Sequence, residues 1–140
     1  MKKIWKIVDR IPAGVASAVV TIAVLYFSLS PRPVGAEMVG LFIGFDKVVH
    51  FLMYAIVTTV YLLDRVKYCN PRSVGVSAVT LLTLAAIVLG GVMEISQGLT
   101  GRRTSDIYDF IANTAGALVA AAVACVWLMS AFRRFLGKSQ

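Results

Sequence analysis

Residues 74–97 decide the fold, and they read VGVSAVTLLTLAAIVLGGVMEISQ. The first charged residue of this stretch is Glu94, close to its end. A helix of this length covers roughly 36 Å, which exceeds the hydrocarbon core of a bilayer at about 30 Å. Because lipid offers no partners for backbone N–H and C=O groups, such a segment must be helical. The stretch therefore predicts a transmembrane helix.

The rest of the chain is equally apolar, with 59% hydrophobic residues and a mean hydropathy of +0.81. Three further stretches, residues 13–30, 46–63 and 106–129, are also long enough to span a bilayer. The first is longer than the apolar region of a signal peptide, so we interpret it as a retained helix. We predict an all-α membrane protein, a single domain over residues 1–140 with four transmembrane helices. Residues 1–11 predict a short amphipathic helix at the membrane surface.

The distribution of lysine and arginine predicts the orientation of the chain. With four spans, the two termini and the second loop share one side and carry ten basic residues, whereas the other side carries four. The positive-inside rule then places both termini in the cytoplasm of a bacterial inner membrane. The net charge is +7, and the basic residues flank the apolar spans. This distribution is typical of membrane topology and of attraction to anionic lipids, so we do not expect nucleic-acid binding. The two cysteines, Cys69 and Cys125, predict no disulfide, because both fall on the cytoplasmic side.

Polar side chains lie where a membrane protein tolerates them least. They occupy one face of each of the last three predicted helices, at the ends that meet on the outer side. Ionisable groups at membrane depth mark functional sites by default. The predicted ligand-binding residues are Asp46, Lys47, His50, Tyr54, Glu94, Gln97, Arg103, Asp106, Asp109 and Asn113.

The same residues also admit a structural interpretation, in which they neutralise one another and fix the helix packing. If the site is catalytic, His50 and Glu94 are the candidate acid and base. Oxygen ligands such as those of Asp46 and Asp106 would suit Mg²⁺ or Ca²⁺. No metal-ligand spacing is recognisable, however, so the sequence predicts neither a metal nor a cofactor.

The order and spacing of these residues resemble the VanZ-like family of small bacterial membrane proteins. Three motifs over about residues 40–120 carry the resemblance: Asp46-Lys47-x2-His50-x3-Tyr54, Glu94-x2-Gln97 and Arg103-x2-Asp106-x2-Asp109-x3-Asn113-x2-Gly116. The resemblance implies a four-helix protein of the cell envelope. The family's namesake gives low-level resistance to the glycopeptide teicoplanin, and no established reaction comes with it.

The favoured hypothesis is that the outward polar pocket binds an envelope lipid or a glycopeptide-like ligand and contributes to teicoplanin resistance. Expected partners are therefore membrane lipids, a lipid-linked cell-wall precursor or the antibiotic itself. A second hypothesis is an enzyme that modifies a lipid headgroup or lipid-linked precursor. A third is a small proton-coupled transporter that uses the same acids. The sequence does not determine the oligomeric state.

Overall fold

The computed structural model describes residues 12–30, 44–68, 75–100 and 106–136, with side chains described up to Val66 in the second range and Trp127 in the last. These ranges contain four helices and no strand, which confirms the all-α fold class. The helices are α1 (Val15–Leu29), α2 (Phe45–Tyr68), α3 (Val76–Thr100) and α4 (Ile107–Leu136). The predicted surface helix over residues 1–11 lies outside the described residues.

Helices α2, α3 and α4 are long and apolar enough to cross a membrane, whereas α1 is shorter. The 15 residues of α1 cover only about 22 Å. Gly14, at a φ of 87°, precedes its first turn, and Ser30 is extended at a ψ of 129° after its last. Ser30 precedes Pro31, and the proline ring disfavours a helical conformation in the residue before it. The described residues therefore contain three long spans and one short apolar helix.

Helix α2 extends further than the sequence predicts. Asp64 marks the start of a loop in the sequence, yet the helix continues to Tyr68. The carboxylate of Asp64 is buried and accepts hydrogen bonds from the backbone N–H of Ser17 at 2.9 Å and from its hydroxyl at 2.6 Å. Because the first backbone N–H groups of a helix lack partners within it, Asp64 caps α1 from a neighbouring helix.

Polar contacts also attach α1 along its length. The hydroxyls of Thr21 and Tyr61 are 2.7 Å apart, which joins α1 to α2. Near the other end of α1, the Gln97 side-chain amide donates to the backbone carbonyl of Ser28 at 2.8 Å, which joins α1 to α3. A short helix is thus fixed at both ends by hydrogen bonds that lipid cannot replace.

The interior of the bundle is a small apolar core. Its buried members are Val24, Tyr54, Val57, Ala86, Met93 and Ala117. The opposite faces of the helices are also apolar but exposed, as Leu81, Val88 and Ile95 are on α3. An apolar exterior is what a lipid environment favours. At helical spacing Thr80 shares one stripe of α3 with Glu94 and Gln97, which predicts that it faces inward, but the structure exposes it.

Candidate functional site

Lys47 connects α2 to the start of α4. Its ammonium group lies 2.7 Å from a carboxylate oxygen of Asp46, 2.7 Å from one of Asp106 and 2.9 Å from Oδ1 of Asp109. Helix α2 begins at Phe45 and α4 at Ile107, so both helix starts bring acids to the same amine. Carboxylates in the first turn of a helix are favourable because the helix dipole is positive there. Lys47 offsets the repulsion that three neighbouring acids would otherwise have.

Asp106 connects the start of α4 to both α2 and α3. Its Oδ2 accepts from Lys47, its Oδ1 accepts from the backbone N–H of Tyr108 at 2.9 Å, and its own N–H donates to Oε2 of Glu94 at 3.3 Å. The hydrogen bond from Lys47, followed by that from the Tyr108 N–H, holds the pKa of the Asp106 carboxyl below its ordinary value of 3.8. Asp106 is therefore a carboxylate at neutral pH.

His50 lies between the acids of the other two long helices. Its Nδ1 is 3.1 Å from Oδ1 of Asn113 and 4.0 Å from Oε1 of Glu94. Its Nε2 is 3.6 Å from Oδ2 of Asp109. An imidazole in this position can hold or pass a proton between two carboxylates, or bind a cation through one nitrogen.

We call the group Asp46, Lys47, His50, Glu94, Asp106, Asp109 and Asn113 the polar cluster. Its burial divides it into a rim and a floor. The side chains of Asp46, Lys47 and Asp106 are each about a third exposed, at 33%, 33% and 34%. Those of His50, Glu94 and Asp109 are only 6%, 7% and 10% exposed. The cluster is therefore reachable at one end of the bundle and closed beneath.

At the floor of the cluster, Asn113 packs with Tyr54 around Gly90. A Cβ atom on Gly90 would lie 3.2 Å from a ring carbon of Tyr54 and 3.3 Å from Cβ of Asn113. The Tyr54 hydroxyl and the Asn113 amide nitrogen are both buried and have no hydrogen-bond partner among the described residues. Buried polar groups normally have hydrogen-bond partners. A ligand or water bound in the site could therefore supply the partners of these two atoms.

The described residues contain two groups that could hold a metal ion. One ligand atom from each of His50, Glu94 and Asp109 lies within 4.8 Å of the other two, and the same holds for Asp46, Asp106 and Asp109. The second group already binds the Lys47 ammonium. The first group comes from three helices and the second from the starts of two, so neither has a recognisable metal-binding spacing in the sequence.

Most of the predicted site residues come together in this structure. Gln97 is one turn from Glu94, but its amide nitrogen bonds the Ser28 carbonyl and so joins helices. Arg103 lies outside the described residues. Sequence reasoning missed the contact between Asp64 and Ser17 because it joins two helices that are distant in sequence. An isolated acid at the end of an apolar run, as Asp64 is, was the available signal.

In the described ranges, three membrane-length helices and a polar cluster with a buried floor define a small multi-pass membrane protein with a candidate ligand site. The family model VanZ/LLP1 matches residues 5–129, and the chain belongs to this family. A comparison with curated proteins gave no significant match, and neither did a comparison with solved structures.

Proposed function

We propose that this protein binds an envelope lipid or a glycopeptide-like ligand at the polar cluster and thereby contributes to teicoplanin resistance. The observation that carries the proposal is a rim that is about one third exposed, above a buried floor of His50, Glu94 and Asp109. Packing alone could be served by hydroxyls and small residues, which are less costly to bury than carboxylates. Membership of the VanZ/LLP1 family supports the link to glycopeptides.

The charge of the cluster favours particular ligand groups. Its seven residues include four acids, Asp46, Glu94, Asp106 and Asp109, and one lysine, whose ammonium bonds Asp46, Asp106 and Asp109. Arg102 and Arg103 precede α4 and lie outside the described residues. The described part of the site therefore suits the amines and hydroxyls of a glycosylated or amino-bearing ligand, which donate hydrogen bonds to carboxylates.

The proposal includes a location and an orientation. The protein lies in the bacterial plasma membrane with both termini in the cytoplasm, because basic residues concentrate there. The polar cluster then faces outward, where lipid-linked precursors and antibiotics meet. In this position a bound ligand alters how the antibiotic engages its target without any catalytic step.

Site variants in a Gram-positive host test this function. His50→Gln and Asn113→Ala alter the floor of the cluster, and Thr80→Ala on the exposed face of α3 is the matched control. We expect both site variants to reach the membrane and to lose most of the protection against teicoplanin, whereas the control keeps it. Protein abundance in membranes is measured beside teicoplanin susceptibility. If protection falls only in proportion to the abundance of the protein in membranes, His50 and Asn113 have a structural role and the proposal is wrong for them.

The position of His50 favours one second candidate, an enzyme that modifies a lipid headgroup or lipid-linked precursor. A buried imidazole with carboxylates near both nitrogens is the arrangement that general acid–base catalysis uses. Mass spectrometry of envelope lipids, with and without the protein, separates the two candidates. A changed headgroup that disappears in His50→Gln supports the enzyme, whereas unchanged lipids with altered antibiotic binding support the ligand-binding function.

A further inference from the structure

We propose that His50, Glu94 and Asp109 form a binding site for one divalent transition-metal ion. The three side chains come from α2, α3 and α4, and each places a ligand atom within 4.8 Å of the other two. All three are buried, so they can displace the water around an ion. The site goes beyond the ligand-binding function proposed above, which needs no metal.

The orientation of the imidazole supports this assignment. Oδ1 of Asn113 lies 3.1 Å from Nδ1 of His50, so the ring can donate its Nδ1–H to that oxygen. A histidine that binds a metal almost always donates its other ring N–H to a carbonyl or carboxylate. The lone pair of Nε2 then faces Oδ2 of Asp109 at 3.6 Å, which is too long for a hydrogen bond. A cation bound between Nε2 of His50 and Oδ2 of Asp109 would make the proximity of these two electron-pair donors favourable.

The neighbouring groups provide a second, independent indication. Asn113 belongs to the cluster, and its buried amide nitrogen has no hydrogen-bond partner in the part of the chain that the structure describes. The buried Tyr54 hydroxyl, which also lacks one, packs with Asn113 around Gly90, one helical turn from Glu94. Polar atoms in this position can bond the water molecules that complete the coordination of an ion. Two buried polar atoms beside the proposed site thus have no partner among the described residues, as expected if bound water or an ion completes their hydrogen bonds.

The donor set selects the class of ion. One imidazole nitrogen and two carboxylate oxygens suit Zn²⁺, Mn²⁺ or Fe²⁺, whereas Mg²⁺ and Ca²⁺ prefer sites made of oxygen alone. Three protein ligands leave at least one coordination position open. The all-carboxylate group of Asp46, Asp106 and Asp109 binds the Lys47 ammonium, so it serves here as the internal comparison.

Calorimetry with Zn²⁺ on the full chain in detergent, after treatment with a chelator, tests the site. We expect one ion per chain in the unaltered protein and an affinity lower by about tenfold or more in His50→Gln, Glu94→Gln and Asp109→Asn. Ser96→Ala removes a hydroxyl that bonds its own helix, so this control should bind the ion as the unaltered protein does. Asp46→Asn changes the all-carboxylate group instead, so it should lower the affinity less than His50→Gln does.

Two further measurements keep the test decisive if a variant folds poorly. Zn²⁺ should raise the unfolding temperature of the unaltered chain, because an ion that binds only the folded state stabilises it. The visible spectrum of bound Co²⁺ should report a nitrogen ligand, and this signature should be absent in His50→Gln. Failure of the unaltered chain to bind the ion would overturn the proposal. Equal losses in Asp46→Asn and His50→Gln would do the same.

Discussion

Gly116 of α4 lies so close to the backbone of Phe51 on α2 that a Cβ atom at position 116 would collide with the Phe51 carbonyl oxygen. The same atom would lie 3.1 Å from the backbone nitrogen of Ala55. Only glycine allows the two helices to approach this closely. His50 precedes Phe51, and Asn113 lies one turn before Gly116, so this contact sets the distance between the two site residues.

The first prediction compares two glycines within helices. Gly116→Ala should lower the free energy of unfolding by about 1–3 kcal/mol or prevent folding, because backbone atoms would have to move apart. Gly91→Ala meets only the Phe110 ring at 3.4 Å, an ordinary contact, and alanine favours a helix over glycine by up to about 1 kcal/mol. Thermal unfolding in detergent should therefore separate the two variants clearly. Equal behaviour would contradict the close approach of α2 and α4.

The second prediction concerns Lys47. Lys47→Gln should destabilise the protein by about 1.5–3 kcal/mol, because it leaves three carboxylates without their ammonium. Adding Asp109→Asn should recover part of this loss, since one repelling charge is then removed. Arg65→Gln changes an exposed basic residue on the same helix and is the matched control. If the losses of stability in the two single variants simply add in the double variant, Lys47 and Asp109 do not interact energetically.

The third prediction is a pH dependence that Asp106 causes. Its pKa is lowered in the folded state, so its contribution to stability is complete above the ordinary value of 3.8 and is lost as the pH falls through the lower, folded value. Between about pH 4 and the acid limit, the unaltered protein should lose more stability than Asp106→Asn does. Unfolding temperatures measured across this range in a detergent without titratable groups check the difference. If the unfolding temperatures of the two proteins fall in parallel as the pH decreases, Asp106 is not the cause of the pH dependence.

The fourth prediction tests the cap of α1. Asp64→Asn should weaken the attachment of α1 by about 1.5–3 kcal/mol, because a charged acceptor of two hydrogen bonds becomes neutral. Ser17→Ala removes one of the two bonds and should have the smaller effect. Hydrogen exchange of the first turn of α1 is the direct measurement, and Ser96→Ala is the control. Unchanged exchange in Asp64→Asn would show that α1 does not depend on this cap.

The fifth prediction concerns orientation. In a chain with Cys69→Ser and Cys125→Ala, the single cysteine of Ser105→Cys should react with a membrane-impermeant thiol reagent in intact cells. A cysteine at Ser139, in the C-terminal segment, should react only after lysis. The opposite pattern would reverse the orientation that the basic residues predict.

Much of the site was predictable from helical spacing. His50 and Tyr54 are one turn apart on α2, and Asp109 and Asn113 are one turn apart on α4, so each pair must share a face. The structure buries all four. Thr80 shows the limit of the same rule, because spacing placed it on the inward stripe of α3 and the structure exposes it. A stripe predicts a face, but the neighbouring helices decide how far along that face burial extends.

The sequence by itself determined that this protein is a helical membrane protein with polar groups at one end of its bundle. Long apolar runs can satisfy their backbone only as helices in lipid, and spacing then orders the side chains on each helix. Only the tertiary structure decided which partners these side chains have. Lys47 with Asp109, His50 with Asn113, and Asp64 with Ser17 are pairs from different helices. Such pairs depend on how helices approach and rotate, which close contacts such as that of Gly116 with Phe51 fix.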